Sequence, residues 1–220
     1  MRAFDEIFEI AAERHGGPDA LQAMLYKPKT QDELVALPED RWLAIITKCI
    51  FQAGFNWKVI ENKWDGFEAA FDGFDVGRCA FMNDEKFDAL LQDTRIVRNG
   101  TKISTVRDNA VFLMELREEG GAGKVLGGWP SEDYISLLAM LAKRGSRLGG
   151  ASAQYAMRFI GRDSFILSQD VTARLIAEGV IDKPATSKKA MVAVQQAFNT
   201  WMDQSGRSLT EISRVLAMSV

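Results

Sequence analysis

The sequence is poor in the residues that build metal and redox sites. Among 220 residues it has only two cysteines, Cys49 and Cys79, and a single histidine, His15. A zinc or iron–sulfur site built on four thiolates is therefore excluded, as is a histidine-rich metal site. We expect the protein to use no metal and no redox cofactor, and we expect its thiols to be reduced.

Long apolar runs are also missing, although 47% of the residues are hydrophobic. No stretch reaches the length of about 20 apolar residues that crosses a membrane. The first fifteen residues are acidic and amphipathic, which is not the pattern of a signal peptide. We expect a soluble, cytoplasmic protein without a membrane association, and the sequence gives no reason to infer an obligate protein partner.

The chain lacks the excess of positive charge that marks an obligate, non-specific nucleic-acid binder. It has 27 basic and 30 acidic side chains, for a net charge of −3. Two local stretches are nevertheless basic: Arg95, Arg98, Lys102 and Arg107 in the first, and Lys143, Arg144, Arg147, Arg158 and Arg162 in the second. Such runs are most often solvated helix faces, so they do not decide the function by themselves.

Helical periodicity dominates the sequence, and no alternating strand pattern is present. Capping-box patterns at 30–33 and 208–211 predict helix starts, and Asn56 is a candidate N-cap for the helix that follows it. The glycine-rich stretch 120–130 predicts a loop. We expect an all-α fold, in which five phenylalanines belong to the core: Phe51, Phe67, Phe71, Phe74 and Phe81.

Residues 145–153 predict a tight glycine turn between two helices. The backbone N–H groups at the start of the second helix, together with the helix dipole, suit a phosphate oxygen. Such a contact holds a nucleic-acid backbone without reading its sequence. The candidate DNA contacts here are Arg147, Leu148, Gly149, Gly150, Ala151 and Ser152. The alternative is an ordinary helix connection with a glycine cap.

A carboxylate follows one helix later. Ser168 is a candidate N-cap, which places Asp170 in the first turn of the next helix. A fixed anion there can stabilise a sugar cation during cleavage of a glycosidic bond, or position water. Simple capping of the helix dipole is the competing interpretation.

The hairpin and this carboxylate together resemble the helix-hairpin-helix DNA glycosylase superfamily. In that superfamily a Gly-hydrophobic-Gly-x-x-Thr/Ser-Ala turn is followed, a helix later, by a catalytic aspartate. Arg147 stands at the first glycine position, and Asp170 falls at the aspartate position. Ala151 stands where lyase-type members carry a lysine. The resemblance therefore implies a monofunctional glycosylase with Asp170 as its catalytic residue.

Three further blocks are similar to the 3-methyladenine DNA glycosylase I family. They are QAGFNWKVI at 52–60, the segment IVRNGTKI at 96–103, and Lys143-Arg144-Gly145 before the hairpin. The resemblance implies an all-α, two-lobed helical bundle with a helix-hairpin-helix motif. We expect a central lobe over about 42–180 that contains the hairpin, and a second lobe formed by 1–41 with 181–220.

The resemblance also implies roles for several residues. Trp57 matches the tryptophan on which the extruded base stacks, and the loop of Gly54, Phe55 and Asn56 matches the one that fills the gap in the duplex. Cys49 aligns with the family's base-reading glutamate, Gln52 is a possible polar contact, and Trp42 is a further candidate pocket wall. Core positions for Trp57 and Phe55, and simple burial of Cys49, remain open. The family's zinc-associated Cys/His segments have no counterpart.

These features predict a monofunctional DNA glycosylase that hydrolyses the N-glycosidic bond of a damaged base, with an alkylated purine as the expected lesion. The partner is double-stranded DNA that contains the damaged base. Two alternatives remain: a related protein that binds damaged or bent DNA without cutting, and a helical interaction scaffold that does not bind DNA.

Overall fold

The computed structural model describes all 220 residues, and every regular element in it is a helix. The predicted all-α fold is confirmed. The chain divides into two compact units, which we call the central unit (30–129 and 137–160) and the terminal unit (1–29, 130–136 and 161–220). None of the helices combines the length and the apolar character that a membrane crossing requires.

The division differs from the predicted lobe boundaries at both ends of the central segment. Residues 30–41 lie in the central unit, because the helix Gln31–Val35 packs against the segment Gly123–Gly127. Residues 161–180 lie in the terminal unit, because the helix Gln169–Ala177 packs against Leu209–Met218.

The central unit is built around two long helices, α4 (Glu39–Gln52) and α9 (Gly100–Leu116), which pack against each other. Its other α-helices are α3 Gln31–Val35, α5 Trp57–Asn62, α6 Trp64–Ala70, α7 Val76–Ala80, α8 Asp84–Gln92, the greater part of α10 Tyr134–Arg144, and α11 Ala151–Ile160. Short 3₁₀ turns occupy Asp72–Phe74 and Arg117–Glu119. Because α11 also packs on α4, the second helix of the predicted hairpin lies against the main helix of this unit.

The terminal unit joins both ends of the chain. Its elements are α1 Phe4–Arg14, α2 Pro18–Ala23, a 3₁₀ turn Ser131–Asp133, α12 Gln169–Ala177, α13 Lys188–Ser205 and α14 Leu209–Met218. Buried aromatic rings form its core, with Phe165 stacked on Phe198 at 4.6 Å between centroids. Burial of rings of this size supplies much of the hydrophobic driving force.

The predicted helix starts are confirmed by side-chain caps. Thr30 and Ser208 each accept from the backbone N–H three residues on, and a glutamate completes the capping box in both. Asn56 accepts from the N–H of Lys58, and Ser168 accepts from that of Val171. His15 closes α1 as its C-cap. Local sequence therefore sets these boundaries through hydrogen bonds to groups that a helix end leaves unpaired.

Two expectations about the core and the loops were wrong. The glycine-rich stretch contains a π-helical turn, Gly123–Gly127, which packs closely on α3. A Cβ on Gly123 would collide with the backbone oxygen of Leu34, so glycine is needed for close approach rather than for a loop. Phe81 is 79% exposed, because α7 ends at Ala80 and leaves it in a turn outside the buried face. Phe51, Phe67, Phe71 and Phe74 are buried as expected.

Candidate active site

The central unit contains a small cavity of about 200 Å³ at the end of α4. Its walls come from the last turn of α4, the loop that follows, the start of α5 and the first half of α11. The lining residues are Cys49, Gln52, Ala53, Gly54, Phe55, Trp57, Ala151, Ser152 and Tyr155. The structure thus brings together seven residues that the sequence analysis selected from two distant segments: Cys49, Gln52, Gly54, Phe55, Trp57, Ala151 and Ser152.

Aromatic rings hold the mouth of the cavity in a fixed arrangement. Trp57 is the first residue of α5 and is 38% exposed. It stands edge-on to Tyr155, with ring centroids 5.0 Å apart and planes at 86°, and Phe159 lies at 6.0 Å and 83°. Edge-to-face packing of this kind favours one orientation of the indole. Because 38% of Trp57 remains exposed, part of this side chain can be reached by a ligand.

Two polar groups from α4 line the cavity, and neither carries a charge. Burial raises the pKa of the Cys49 thiol to about 12, so it is neutral at physiological pH. Gln52 is only 3% exposed, and its Oε1 has no hydrogen-bond partner. A buried acceptor without a partner costs about 1–3 kcal/mol, which a ligand that donates to it would recover. No group of three or more His, Cys, Asp or Glu side chains is placed to hold a metal ion.

The loop between α4 and α5 carries Phe55, which is 40% exposed. Gly54 before it has a φ of 75°, in the left-handed region that glycine enters without strain. Lys102 of α9 lies beneath the loop and donates to the carbonyls of Phe51 (3.1 Å) and Ala53 (2.6 Å), with its Nζ 4.5 Å from the Phe55 ring centroid. Burial lowers the pKa of Lys102, and the positive charge of Arg147 lowers it further.

The turn between α10 and α11 has two residues in the left-handed region, and one of them is not a glycine. Arg147 has a φ of 55°, and Gly150 has a φ of 56°. Leu148 is fully buried and anchors the turn. The side-chain amide of Asn109 on α9 binds the first residue of the turn. It donates to the carbonyl of Ser146 (3.0 Å) and accepts from the backbone N–H of Ser146 (2.9 Å). The exposed guanidinium of Arg147 is consequently held at the tip.

Comparison with known proteins finds a family match in the segment that contains most of the cavity residues. The sequence pattern of the methyladenine glycosylase family matches residues 38–126, a range that includes Cys49, Gln52, the Phe55 loop, Trp57 and Lys102. DNA-3-methyladenine glycosylase 1 of Escherichia coli K12 is 32% identical over 69 residues. This alignment covers 31% of the chain and 37% of the length of that enzyme.

Solved structures of 3-methyladenine DNA glycosylase I share the fold. One has a TM-score of 0.50 at 23% identity, and covers 65% of this chain and 86% of its own. The Staphylococcus aureus protein, solved to explain its recognition of 3-methyladenine, has a TM-score of 0.51 at 16% identity, with coverages of 70% and 91%. The chain therefore shares the fold of these glycosylases, and its residues 38–126 are similar to the methyladenine glycosylase family.

One residue proposed from the resemblance to 3-methyladenine DNA glycosylase I does not belong to the cavity. Trp42 is fully buried and is absent from the cavity walls, so its interpretation as a pocket wall is corrected to a core residue. It shares a helix face with Cys49, but seven residues of α-helix separate the two by about 10 Å along the axis.

Asp170, the predicted catalytic residue, lies in the terminal unit and is exposed. It occupies the first turn of α12, whose N-cap is Ser168, as the sequence predicted. It is not among the residues that line the cavity, all of which belong to the central unit. Its role in the reaction therefore stays a prediction.

Fewer of the basic residues are available to DNA than the two basic stretches suggest. Lys102, Arg158 and Arg162 are buried, and Arg144 pairs with Glu119 at 2.8 Å. Arg95 is engaged by Asp93. Exposed cations of these stretches that no acid engages include Arg98, Lys143 and Arg147.

Two features of the site were not predicted from the sequence: Tyr155 as a cavity residue and the structural role of Lys102. Helical spacing contained a signal for Tyr155, because it lies four residues after Ala151 and three after Ser152 on α11, and both were candidates. Lys102 was counted among the solvated charges, since nothing in its local sequence shows that it reaches carbonyls fifty residues earlier in the chain.

Proposed function

We propose that this protein is a DNA glycosylase that hydrolyses the bond between deoxyribose and an alkylated purine. The observation that carries the proposal is the cavity that places the partly exposed Trp57 beside the buried Gln52, whose Oε1 has no hydrogen-bond partner. Both residues lie inside the segment that matches the methyladenine glycosylase family. The substrate is duplex DNA that contains the damaged base.

The aromatic and neutral character of the cavity fits a purine that has been alkylated. Alkylation at a ring nitrogen gives the base a positive charge, and a cationic ring stacked on Trp57 gains from cation–π attraction as well as dispersion. Gln52 can accept a hydrogen bond from an exocyclic amino group. Extrusion of the base from the stack costs a few kcal/mol, and least for a damaged base.

Phe55 can stabilise the extruded state of the DNA by filling the gap that the nucleotide leaves in the duplex. It stands at a loop tip, where an exposed apolar side chain can enter the space that the extruded nucleotide leaves. Gly149, Gly150, Ala151 and Ser152 of the hairpin hold the DNA backbone through the free N–H groups at the start of α11, and Arg147 adds a charged contact. Leu148 was predicted as a DNA contact, but it is fully buried and so supports the turn from inside. These contacts position the strand without reading its sequence.

The chemical step needs little from the protein when the leaving base is already cationic. The bond between the base nitrogen and C1′ breaks, its electron pair leaves with the base, and water adds to C1′ with loss of a proton. Asp170 is our candidate for the carboxylate that stabilises the developing sugar cation or orients this water. It lies in the first turn of α12 and is exposed to solvent.

A second function, recognition of damaged DNA without cleavage, is favoured by one observation. The carboxylate expected in the base pocket is replaced by Cys49, whose neutral thiol cannot stabilise a positive charge. The two functions are separated by incubating the protein with DNA methylated on purines and analysing the supernatant by chromatography. Free 3-methyladenine or 7-methylguanine supports the glycosylase; tight binding to the same DNA with no released base supports the binding protein and contradicts our proposal.

A further inference from the structure

Lys102 occupies a position where a lysine is unfavourable unless a specific contact holds it there. It is 5% exposed, and it lies in the first turn of α9, near the positive end of the helix dipole. Burial of an ammonium group and its placement at a helix N-terminus both cost free energy. The contacts that Lys102 makes must offset these costs.

The ammonium group of Lys102 contacts the end of α4 and the loop that carries Phe55. The carbonyls of Phe51 and Ala53 belong to the last turn and the C-cap of α4, where no helical N–H is available to them. A cation at this end of a helix is favourable, since the dipole is negative there. The same ammonium group lies 4.5 Å from the Phe55 ring, within the range of cation–π attraction.

We propose that Lys102 is a positioning residue that keeps Phe55 ready to enter the duplex, by fixing the carbonyl of Ala53 and holding the ring from below. The inference rests on the proposed function, because it assigns Lys102 to the loop that acts on DNA. It does not make Lys102 a group that touches the substrate.

The same helix also holds the hairpin. Asn109 follows Lys102 by seven residues, which is two helical turns, and its amide closes two hydrogen bonds with Ser146. Through these two side chains α9 fixes the spacing between the loop that enters the duplex and the turn that binds the backbone. A misplacement of about 1 Å can lower the rate of an enzyme about a hundredfold, so this spacing matters for a site that must hold the substrate in a reactive geometry.

A double-mutant cycle tests whether Lys102 acts through Phe55. The variants are Lys102→Met, Phe55→Ala and the pair, and the measured quantity is the dissociation constant for a duplex with an abasic-site analogue. Each single change should weaken binding about tenfold. If Lys102 works by holding Phe55, the pair should bind no worse than Phe55→Ala alone. Independent losses that multiply to about a hundredfold would overturn the proposal.

The matched control is Lys48→Met. Lys48 is a half-buried lysine on α4 whose Nζ lies 5.1 Å from the Trp64 ring, so it has a comparable aromatic contact away from the loop. Its replacement should leave abasic-site binding within about twofold of the wild type. A loss equal to that of Lys102→Met would show a general effect of removing lysine and would contradict the assignment.

Amide hydrogen exchange tests the proposal independently of DNA and of catalysis. In Lys102→Met the amides of residues 53–56 should exchange faster than in the wild type, whereas Lys48→Met should not change them. Lys102→Arg keeps the positive charge and the hydrogen-bond donors, so the amides of residues 53–56 should exchange as slowly in it as in the wild type. This variant replaces Lys102→Met in the comparison if Lys102→Met is too unstable to interpret. Unchanged exchange at 53–56 would overturn the inference even if the wild type releases bases. A wild type that releases no base would count against the proposed function alone.

Discussion

Trp57 and Tyr155 meet edge to face, with centroids 5.0 Å apart, at the mouth of the cavity in the central unit. One ring comes from the start of α5 and the other from the middle of α11. The contact joins the family-like segment 38–126 to the hairpin helix, which lies outside that segment. The proposed base-binding surface therefore depends on both parts of the chain.

Replacement of Trp57 by alanine should remove most of the stacking surface. Aromatic stacking on a base contributes about 1–3 kcal/mol, so kcat/KM for release of a methylated purine should fall by about 10- to 100-fold. Tyr155→Phe keeps the edge-to-face packing and should lose much less. Single-turnover release assays on the two variants measure the difference, and equal losses would show that the phenol hydroxyl matters more than the ring contact.

Asp170→Asn should separate catalysis from helix capping. If the carboxylate stabilises the sugar cation, the rate of base release should fall by about 100-fold or more, while thermal stability changes little because asparagine is tolerated in a first turn. Asp203→Asn, an exposed carboxylate on α13, is the control and should retain full activity. A full rate in Asp170→Asn would remove Asp170 from the mechanism.

Arg147→Gly should change stability and DNA affinity in opposite directions. Arginine at a φ of 55° is strained by about 1 kcal/mol, and glycine relieves that strain. The loss of a phosphate contact should weaken DNA binding at low salt and reduce the slope of log affinity against log salt by about one. Thermal unfolding measures the effect on stability, and a salt titration of DNA binding measures the effect on affinity. An unfolding temperature of Arg147→Gly below that of the wild type would contradict backbone strain at Arg147.

Glu178 should make the terminal unit sensitive to acid. Its side chain is buried, and burial by itself would raise its pKa. Hydrogen bonds from the backbone N–H of Arg2 (2.8 Å) and the guanidinium groups of Arg2 (2.7 Å) and Arg174 (3.3 Å) reverse this and hold the pKa below its ordinary value of 4.5. A depressed pKa stabilises the fold above that value, and this stabilisation is lost as the pH falls through the folded pKa.

Glu178→Gln therefore should destabilise the protein at neutral pH, by about 3 kcal/mol, since it leaves the buried guanidinium of Arg174 without its carboxylate partner. The difference from the wild type should narrow as the pH falls below the ordinary value of 4.5. Glu9→Gln, at an exposed position of α1, is the control. Urea unfolding at several pH values gives the free energy of unfolding of each variant. A difference between Glu178→Gln and the wild type that stays constant with pH would show that protonation of Glu178 does not control stability.

The features that local sequence could predict are those controlled by local hydrogen bonds. Asn56 and Ser168 were recognisable as caps because their side chains bond to N–H groups two or three residues away. Their positions also fixed where Trp57 and Asp170 fall in their helices. The resemblance then selected Cys49, Gln52 and the Phe55 loop, which the fold brings to one cavity.

The features that could not be predicted depend on packing between distant segments. Trp42 follows the same helical period as Cys49, yet periodicity does not show how far along α4 the cavity extends. The contacts of Lys102 with α4, and those of Gly123 with α3, join segments far apart in the sequence. Such contacts appear only when the helices are placed against one another.

The most direct test of the account is the position of the damaged base in a complex with duplex DNA, determined crystallographically with an uncleavable alkylated-purine nucleotide. We predict that the base has left the stack and lies on the Trp57 ring at about 3.5–4 Å, with Gln52 in hydrogen-bond range. A base that remains stacked in the duplex, or that lies outside the cavity lined by Gln52, Trp57 and Tyr155, would contradict the account.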